Sequence, residues 1–419
     1  MGLSSKTNGR LFYGWIVVAT SFVIFALILG SRYCFGVFFK SIGNEFDMTR
    51  MATSSIFSIY MMLCPVFAMI GGRLLDRYGP RPVVFSMGVF TGLSLLLTGQ
   101  ANSLWQLFFT YSVLLAIGTG PGYAVLMSTT SRWFDKKRGL ALAITSSGSG
   151  LGTIALAPFA AYLIGSFDWR TAYSVLGLIM GLGIAPLSIL LKKEPAEIGM
   201  LPDGDRVPPH TTTVAHSKDS SHAGSVTLSQ ALRTQSFWFI GIVWLSYSLC
   251  LHLVYTHSVP YITDTGVSAA EAAVVLGLIS SISIPGRLVM GAVSDKTGRK
   301  ASAIICGLLQ VGAMLWVIWA RELWMFYVFA TVYGFALGGF DVPVTALVGD
   351  IFGVHRLGEI MSVLIIGWGL GAAIGPAIGG IIFDVTESYF MAFMIGALAM
   401  MMATYFVAII KHQISTPQP

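Results

Sequence analysis

The chain has 419 residues, of which 55% are hydrophobic and 11% charged, and a formal net charge of +6. A typical soluble chain carries about 25% charged residues, so a water-soluble enzyme of this size is excluded and lipid is the natural solvent. At 20 to 27 residues per crossing plus short connections, the length accommodates about twelve membrane helices.

The first ten residues are polar, and the apolar run behind them is too long for the core of a signal peptide, so it reads as a retained first span. Lys6 stands where a myristoylation signal needs Ser or Thr. Apolar stretches follow at about 12–38, 52–75, 82–100, 104–129, 139–166, 169–191, 235–262, 269–294, 301–320, 323–349, 357–384 and 387–411, numbered here as spans one to twelve. Runs of this length satisfy their backbone groups as helices rather than barrel strands. The expectation is an all-α integral membrane protein with twelve transmembrane helices. Segment 194–233, rich in Pro and Ser and poor in aromatics, reads as a cytoplasmic linker between six-helix bundles at 1–193 and 234–419. Its histidines His210, His216 and His222 lack the tight spacing of a metal site. The four cysteines, Cys34, Cys64, Cys250 and Cys306, lie in apolar runs without a CxxC pair. No metal or cofactor is expected.

The Lys and Arg residues are unevenly distributed. Four, Lys40, Arg50, Arg170 and Arg321, fall in odd-numbered connections, two, Arg32 and Arg287, fall inside spans, and the other nineteen of the 25 lie at the termini or in even-numbered connections. This bias puts both termini in the cytoplasm. It also accounts for the net charge without a nucleic-acid partner.

The two halves of the chain repeat each other. Gly72-x3-Asp76-Arg77-x-Gly79 follows span two, and Gly291-x3-Asp295-Lys296-x-Gly298 follows span eight, at an offset of 219. Gly122-Tyr123 matches Gly339-Phe340, and Gly150-Leu151-Gly152 matches Gly367-Trp368-Gly369, both at 217, while Pro158 matches Pro376 at 218. Constant offsets of this kind indicate a duplicated six-helix unit with its substrate site near the midplane between repeats.

The paired Gly-x3-Asp-Arg/Lys-x-Gly turns resemble the signature of the major facilitator superfamily. The resemblance implies a conformational latch made by Gly72, Asp76, Arg77, Gly291, Asp295 and Lys296; a plain charged turn that sets topology is the alternative. More narrowly, Arg10-Leu11-Phe12-Tyr13-Gly14-Trp15 and Trp133-Phe134-Asp135-Lys136-Lys137-Arg138-Gly139 resemble the two signatures of the monocarboxylate transporter family. Oxalate–formate exchangers share much of this pattern. The chain departs from animal monocarboxylate transporters at Ser283, where they carry Asp, and at Tyr33, where they carry Lys. Span eleven lacks the second cation of the oxalate exchangers.

Arg287 is the sharpest signal for a site. It lies about 12 Å from Asp295 along a helix, near the bilayer centre, where a guanidinium is expensive and usually functional. Ser280 and Ser283 share its face. A planar fork that stays charged suits a carboxylate. Asp341 lies at a similar depth in span ten and is either a proton carrier or a counter-charge. His257 and Asp264 are further proton-coupling candidates. Tyr123, Tyr333 and Phe340 are candidate walls around a small ligand. Arg32 reads as a snorkelling or entrance residue.

HExxH, GxSxG and Walker-type patterns are absent, so neither hydrolysis nor direct ATP drive has a constellation. The resemblance implies a secondary carrier of lactate- or pyruvate-like monocarboxylates, coupled to H+, in a bacterial inner membrane and acting as a monomer. The alternatives are an organic-anion exchanger and a non-transporting membrane sensor. With one central Arg, a monoanion is expected to be preferred over oxalate or succinate.

Overall fold

The computed structural model describes residues 12–204, 228–352 and 357–410. His210, His216 and His222 lie outside them. Twelve helices among the described residues are long and apolar enough to cross a membrane: Tyr13–Glu45, Arg50–Tyr78, Pro80–Gly99, Leu104–Arg132, Arg138–Ser166, Trp169–Leu190, Gln235–Asp264, Ala269–Thr297, Arg299–Trp319, Leu323–Phe352, Val363–Thr386 and Phe390–Ile409. They are spans one to twelve. The face where the described chain begins and ends is called the near face, and the opposite one the far face.

Local chemistry sets the helix ends. Thr49 caps span two through the Ala52 N–H, and Ser268 with Glu271 forms a reciprocal capping box on span eight. Asp168 caps span six, and its hydrogen bonds from the backbone and side chain of Thr171 hold the carboxyl below the usual range. Spans two and eight both stop at a glycine in the left-handed region, Gly79 at φ 79° and Gly298 at φ 93°. A Cβ is strained there, which explains why both repeat turns end in glycine.

Two features depart from continuous spans. Span one runs on to Glu45, well past residue 38, and its α-helical pattern is interrupted at Cys34, whose carbonyl accepts the N–H of Val37 only three residues on. Span four contains a π-helical stretch, Phe108–Leu114, followed by a break at Gly120 and Pro121. Hydrophobic length alone does not register a change of helical pitch, which shifts the side chains beyond it around the axis.

The duplication is visible in the packing. Span one lies on five as span seven lies on eleven, and span three lies on six as span nine lies on twelve. The repeats meet where span two packs on eleven and five on eight. Adding six to each member of one pair yields the other, as a two-fold relation requires. Among the described residues, the hydrogen bonds and ion pairs that join the repeats all lie toward the far face.

Candidate functional site

Spans eight and ten touch backbone to backbone. A Cβ on Gly334, Gly338 or Gly286 would run into the main chain of Ile279, Ser283 or Phe335 respectively. Such close approach is the usual function of small residues between membrane helices. It sets the next side chains along, Arg287 and Asp341, face to face, with Nη2 and Oδ2 3.9 Å apart. Each has a helix proline two residues away, Pro285 and Pro343. A proline removes one intrahelical hydrogen bond and loosens the turn beside it.

The ion pair is long and single-stranded, and the buried Arg287 Nε has no partner. The side chains of Arg287 and Asp341 are 30% and 31% exposed. Tyr123, Tyr247 and Tyr255 surround Arg287 within electrostatic reach, and these tyrosines come from both repeats. The exposure is therefore to a space between the repeats. Tyr123 is open to it, at 63% exposure, and Tyr255 donates to or accepts from the Ser280 hydroxyl at 2.6 Å.

Other expected wall residues are placed differently. Tyr333 is fully enclosed, stacked on Phe329 with its hydroxyl against Cys250 Sγ. Phe340 is also enclosed and stacks on Tyr247. Ser283 turns its hydroxyl onto the Ser280 carbonyl and lends its backbone to the Gly338 contact. These three sit in helix packing behind Arg287, because the facing of an apolar helix is set by its neighbours.

Arg32 corrects the snorkelling expectation. It is 8% exposed, with Nε donating to the Tyr60 hydroxyl at 2.8 Å and Nη2 lying 3.8 Å from Cys64 Sγ. Tyr60 in turn bonds Thr119, which donates to the Leu115 carbonyl. The break at Cys34 follows directly on this turn of span one. Sequence reasoning had only the depth of Arg32, which does not say which way it points.

His257 and Asp264 lie in the far-face closure, not beside Arg287. Asp264 of span seven pairs with Lys40 at 2.6 Å and Arg50 at 2.8 Å, both from the first repeat. Arg50 also bonds the Tyr389 hydroxyl, and its guanidinium lies 3.6 Å over the Phe383 ring. Tyr389 reaches His257 Nδ1 at 3.0 Å, and His257 Nε2 faces the Pro376 carbonyl and Ser54. Asp384 accepts the N–H groups of Arg50 and Met51, where span two begins. Arg50, Asp384 and Tyr389 were not singled out from the sequence. The available signal was scarcity: all four cations on the sparse side are engaged, Lys40 and Arg50 with Asp264, Arg170 with Glu45, and Arg321 with the Tyr261 hydroxyl.

At the near face each repeat turn closes on its own half. Asp76 pairs with Arg132 at 2.8 Å and accepts Lys193 Nζ on its carbonyl. Asp295 pairs with Arg299, which also reaches Asp350. Gly72 faces open space, Gly291 meets only Val342 of span ten, Arg77 covers the Tyr78 ring and Lys296 is exposed. The two narrower signatures form one aromatic cluster. Phe12 and Tyr13 pack on Trp133, and Phe12 and Trp15 on Phe134. Asp203 pins this cluster, accepting the N–H groups of Asp135 and Lys136 ahead of span five. Burial opposes its charge, but these backbone N–H groups prevail and hold the Asp203 carboxyl below the usual range. Among the described residues there is no group of three side chains suited to a metal ion.

The sequence model described as Major Facilitator Superfamily matches residues 21–321 and 259–418. The chain is 25% identical over 417 residues to Monocarboxylate transporter 12 of Xenopus laevis, covering 95% of this chain and 89% of that one. It is 26% identical over 400 residues to Monocarboxylate transporter 11 of Homo sapiens, covering 91% and 80%. Among solved structures, a bacterial homolog of the human lysosomal transporter Spinster, in an inward-facing and unoccupied conformation, superposes with a TM-score of 0.69 at 17% identity, covering 96% of this chain and 95% of that one. That likeness concerns the fold.

Proposed function

The chain belongs to the major facilitator superfamily and is a multi-pass membrane transporter related to the monocarboxylate transporters, and from this premise we propose that it carries small monocarboxylates of the lactate and pyruvate kind together with one H+. The observation that carries the reading is the state of Arg287. Its guanidinium faces the space between the repeats, is held by one long contact to Asp341, and has an unpartnered Nε. An Nε and an Nη together make the side-on fork that matches a carboxylate. The substrate class named by the relatives is consistent with that fork.

In this reading both termini and the linker are cytoplasmic, the membrane is a bacterial inner membrane, and the carrier works as a monomer. The structure then represents an inward-open state. A monoanion entering against a negative interior is opposed by about 2.3 kcal/mol per 100 mV. Moving one H+ with it makes the cycle electroneutral. Asp341 is the group at hand: ionised, it holds Arg287 when the site is empty, and protonated, it releases the fork to the substrate. Microscopically this is an ion-pair switch between a resident and an incoming carboxylate.

The test is counterflow uptake in proteoliposomes with a panel of labelled acids, each with and without an imposed pH gradient. Lactate or pyruvate uptake driven by the gradient is expected. Asp341→Asn should keep counterflow and lose gradient-driven accumulation, whereas accumulation equal to the parent's would remove Asp341 from coupling. Arg287→Ala should nearly abolish uptake from protein that still inserts in the membrane. Exchange of oxalate insensitive to the gradient would favour the exchanger reading.

A further inference from the structure

Tyr33, Tyr123, Tyr247 and Tyr255 all lie within electrostatic reach of Arg287. Those of the second repeat are engaged: Tyr247 donates to the Leu337 carbonyl at 3.0 Å, and Tyr255 shares a hydrogen bond with Ser280. Those of the first repeat, Tyr33 and Tyr123, have hydroxyls without a hydrogen-bond partner among the described residues. Neither hydroxyl is sealed in packing as those of Tyr111 and Tyr173 are: Tyr33 is half-buried and Tyr123 exposed. Each stands at an irregular turn, Tyr33 just before the interruption at Cys34 and Tyr123 just after the break at Gly120 and Pro121. Discontinuous membrane helices are where transporters place substrate-binding groups.

Tyr33 is the better fixed of the two. Arg32 turns into its own repeat, toward Tyr60, so the next side chain, about 100° around the helix, is directed at span seven. There the Tyr33 ring lies 4.2 Å from that of Tyr255, which is tied in turn to Ser280 of span eight. Ser280 shares the face of Arg287 and lies two turns nearer the far end, so Tyr33 sits on the far side of the fork. Tyr33 is roughly 12 residues from the far end of span one and Arg287 roughly 18 from that of span eight, an offset of about 9 Å along the axes. The side chains shorten it. They lean toward the N-terminus of their own helix. Span one begins at the near face and span eight at the far face, so Tyr33 and Arg287 lean toward each other.

We propose that Tyr33 is a specificity-determining residue of the substrate site: its hydroxyl bonds the oxygen on carbon 2 of the acid whose carboxylate Arg287 holds. The proposal rests on the carboxylate reading of Arg287. A phenol both donates and accepts, so it serves a 2-keto oxygen as donor and a 2-hydroxyl in either sense. It is neutral at pH 7 by its ordinary chemistry, which leaves the balance of one anion and one H+ unchanged. A group held in place before the ligand arrives loses less freedom on binding, and the ring contact with Tyr255 gives Tyr33 that advantage over Tyr123. The contact also brings the first repeat onto an acid otherwise held by the second, as a substrate that couples to their relative motion requires.

The probes are lactate and propionate, three-carbon monoanions that differ by the 2-hydroxyl, in counterflow and in competition on proteoliposomes. The parent is expected to prefer lactate about tenfold. Tyr33→Phe, which removes one unpartnered oxygen, should lower lactate affinity about tenfold and leave propionate within twofold, so that the preference collapses. A lactate-to-propionate ratio in Tyr33→Phe within twofold of the parent's overturns the assignment. A parent that takes the two acids equally overturns it as well, and that comparison needs no variant. Arg287→Ala separates these failures from failure of the carboxylate reading. Loss of both acids in that variant upholds the fork, whereas uptake of both retained there overturns the fork and the role of Tyr33 together.

Discussion

Arg287 and Lys differ in shape more than in charge. The guanidinium offers two parallel donors on its Nε edge, and in this structure the Nε is unclaimed. An ammonium in its place keeps attraction but loses the fork, a loss of about 1.5 kcal/mol or more for a bidentate contact. Arg287→Lys should therefore weaken substrate affinity at least tenfold in competition assays, with expression and thermal stability close to the parent. Equal affinity in the two proteins would mean that the carboxylate is held as a point charge or elsewhere. The depth of Arg287 and Asp341 was readable by counting along their helices from the charged turns, and the pair is indeed in contact. The direction of Arg32 was not, since the same count applies to every side chain on that turn.

Spans eight and ten owe their close approach to Gly334, Gly338 and Gly286. The contact at Gly338 is with backbone, which cannot swing aside as a side-chain tip does. Gly338→Ala should push the helices apart near Ser283, at a cost of about 1 to 3 kcal/mol for overpacking. It should lower the melting temperature in detergent and, by widening the Arg287–Asp341 separation, reduce uptake as well. Gly312→Ala on span nine, where a Cβ meets open space, is the matched control and should change neither. A Gly338→Ala protein as stable as the parent would show that the stripe has slack. In the sequence these glycines were visible as glycines, but 47 of them are present, and only the packing says which ones carry a helix contact.

Closure at the far face is concentrated in a few polar links across the repeats, with Arg50 at the centre. It joins Asp264, Tyr389 and the Phe383 ring, while Asp384 takes the N–H groups at the start of span two. Hydrogen bonds to charged groups contribute about 1.5 to 3 kcal/mol each, and a tenfold change in a two-state ratio needs only about 1.4 kcal/mol. Arg50→Gln should therefore shift the resting population toward a state open at the far face by tenfold or more. Distance distributions between spin labels at the far ends of spans one and seven would report it as a longer component. Unchanged distances would place the stability of this state in the span two–eleven and five–eight packing instead.

Twelve crossings, their duplication and the signature turns were legible in the chain, because each depends on local length, composition or spacing. A run of about twenty apolar residues must be helical in lipid, and a duplicated unit keeps its landmarks at constant offset. Facing was not legible. A helix that is apolar all round carries no stripe to mark its inner side, so Tyr123 opens onto the central space while Tyr333 and Phe340 are enclosed. The π-helical turn of span four and the interruption at Cys34 rotate side chains by amounts that hydropathy does not record. Partners distant in the chain, such as Arg50 with Asp264 or Asp203 with the turn before span five, exist only after the helices assemble. Which face is closed is a property of that assembly too, since one sequence must support both closures and the contacts present at a given moment select between them.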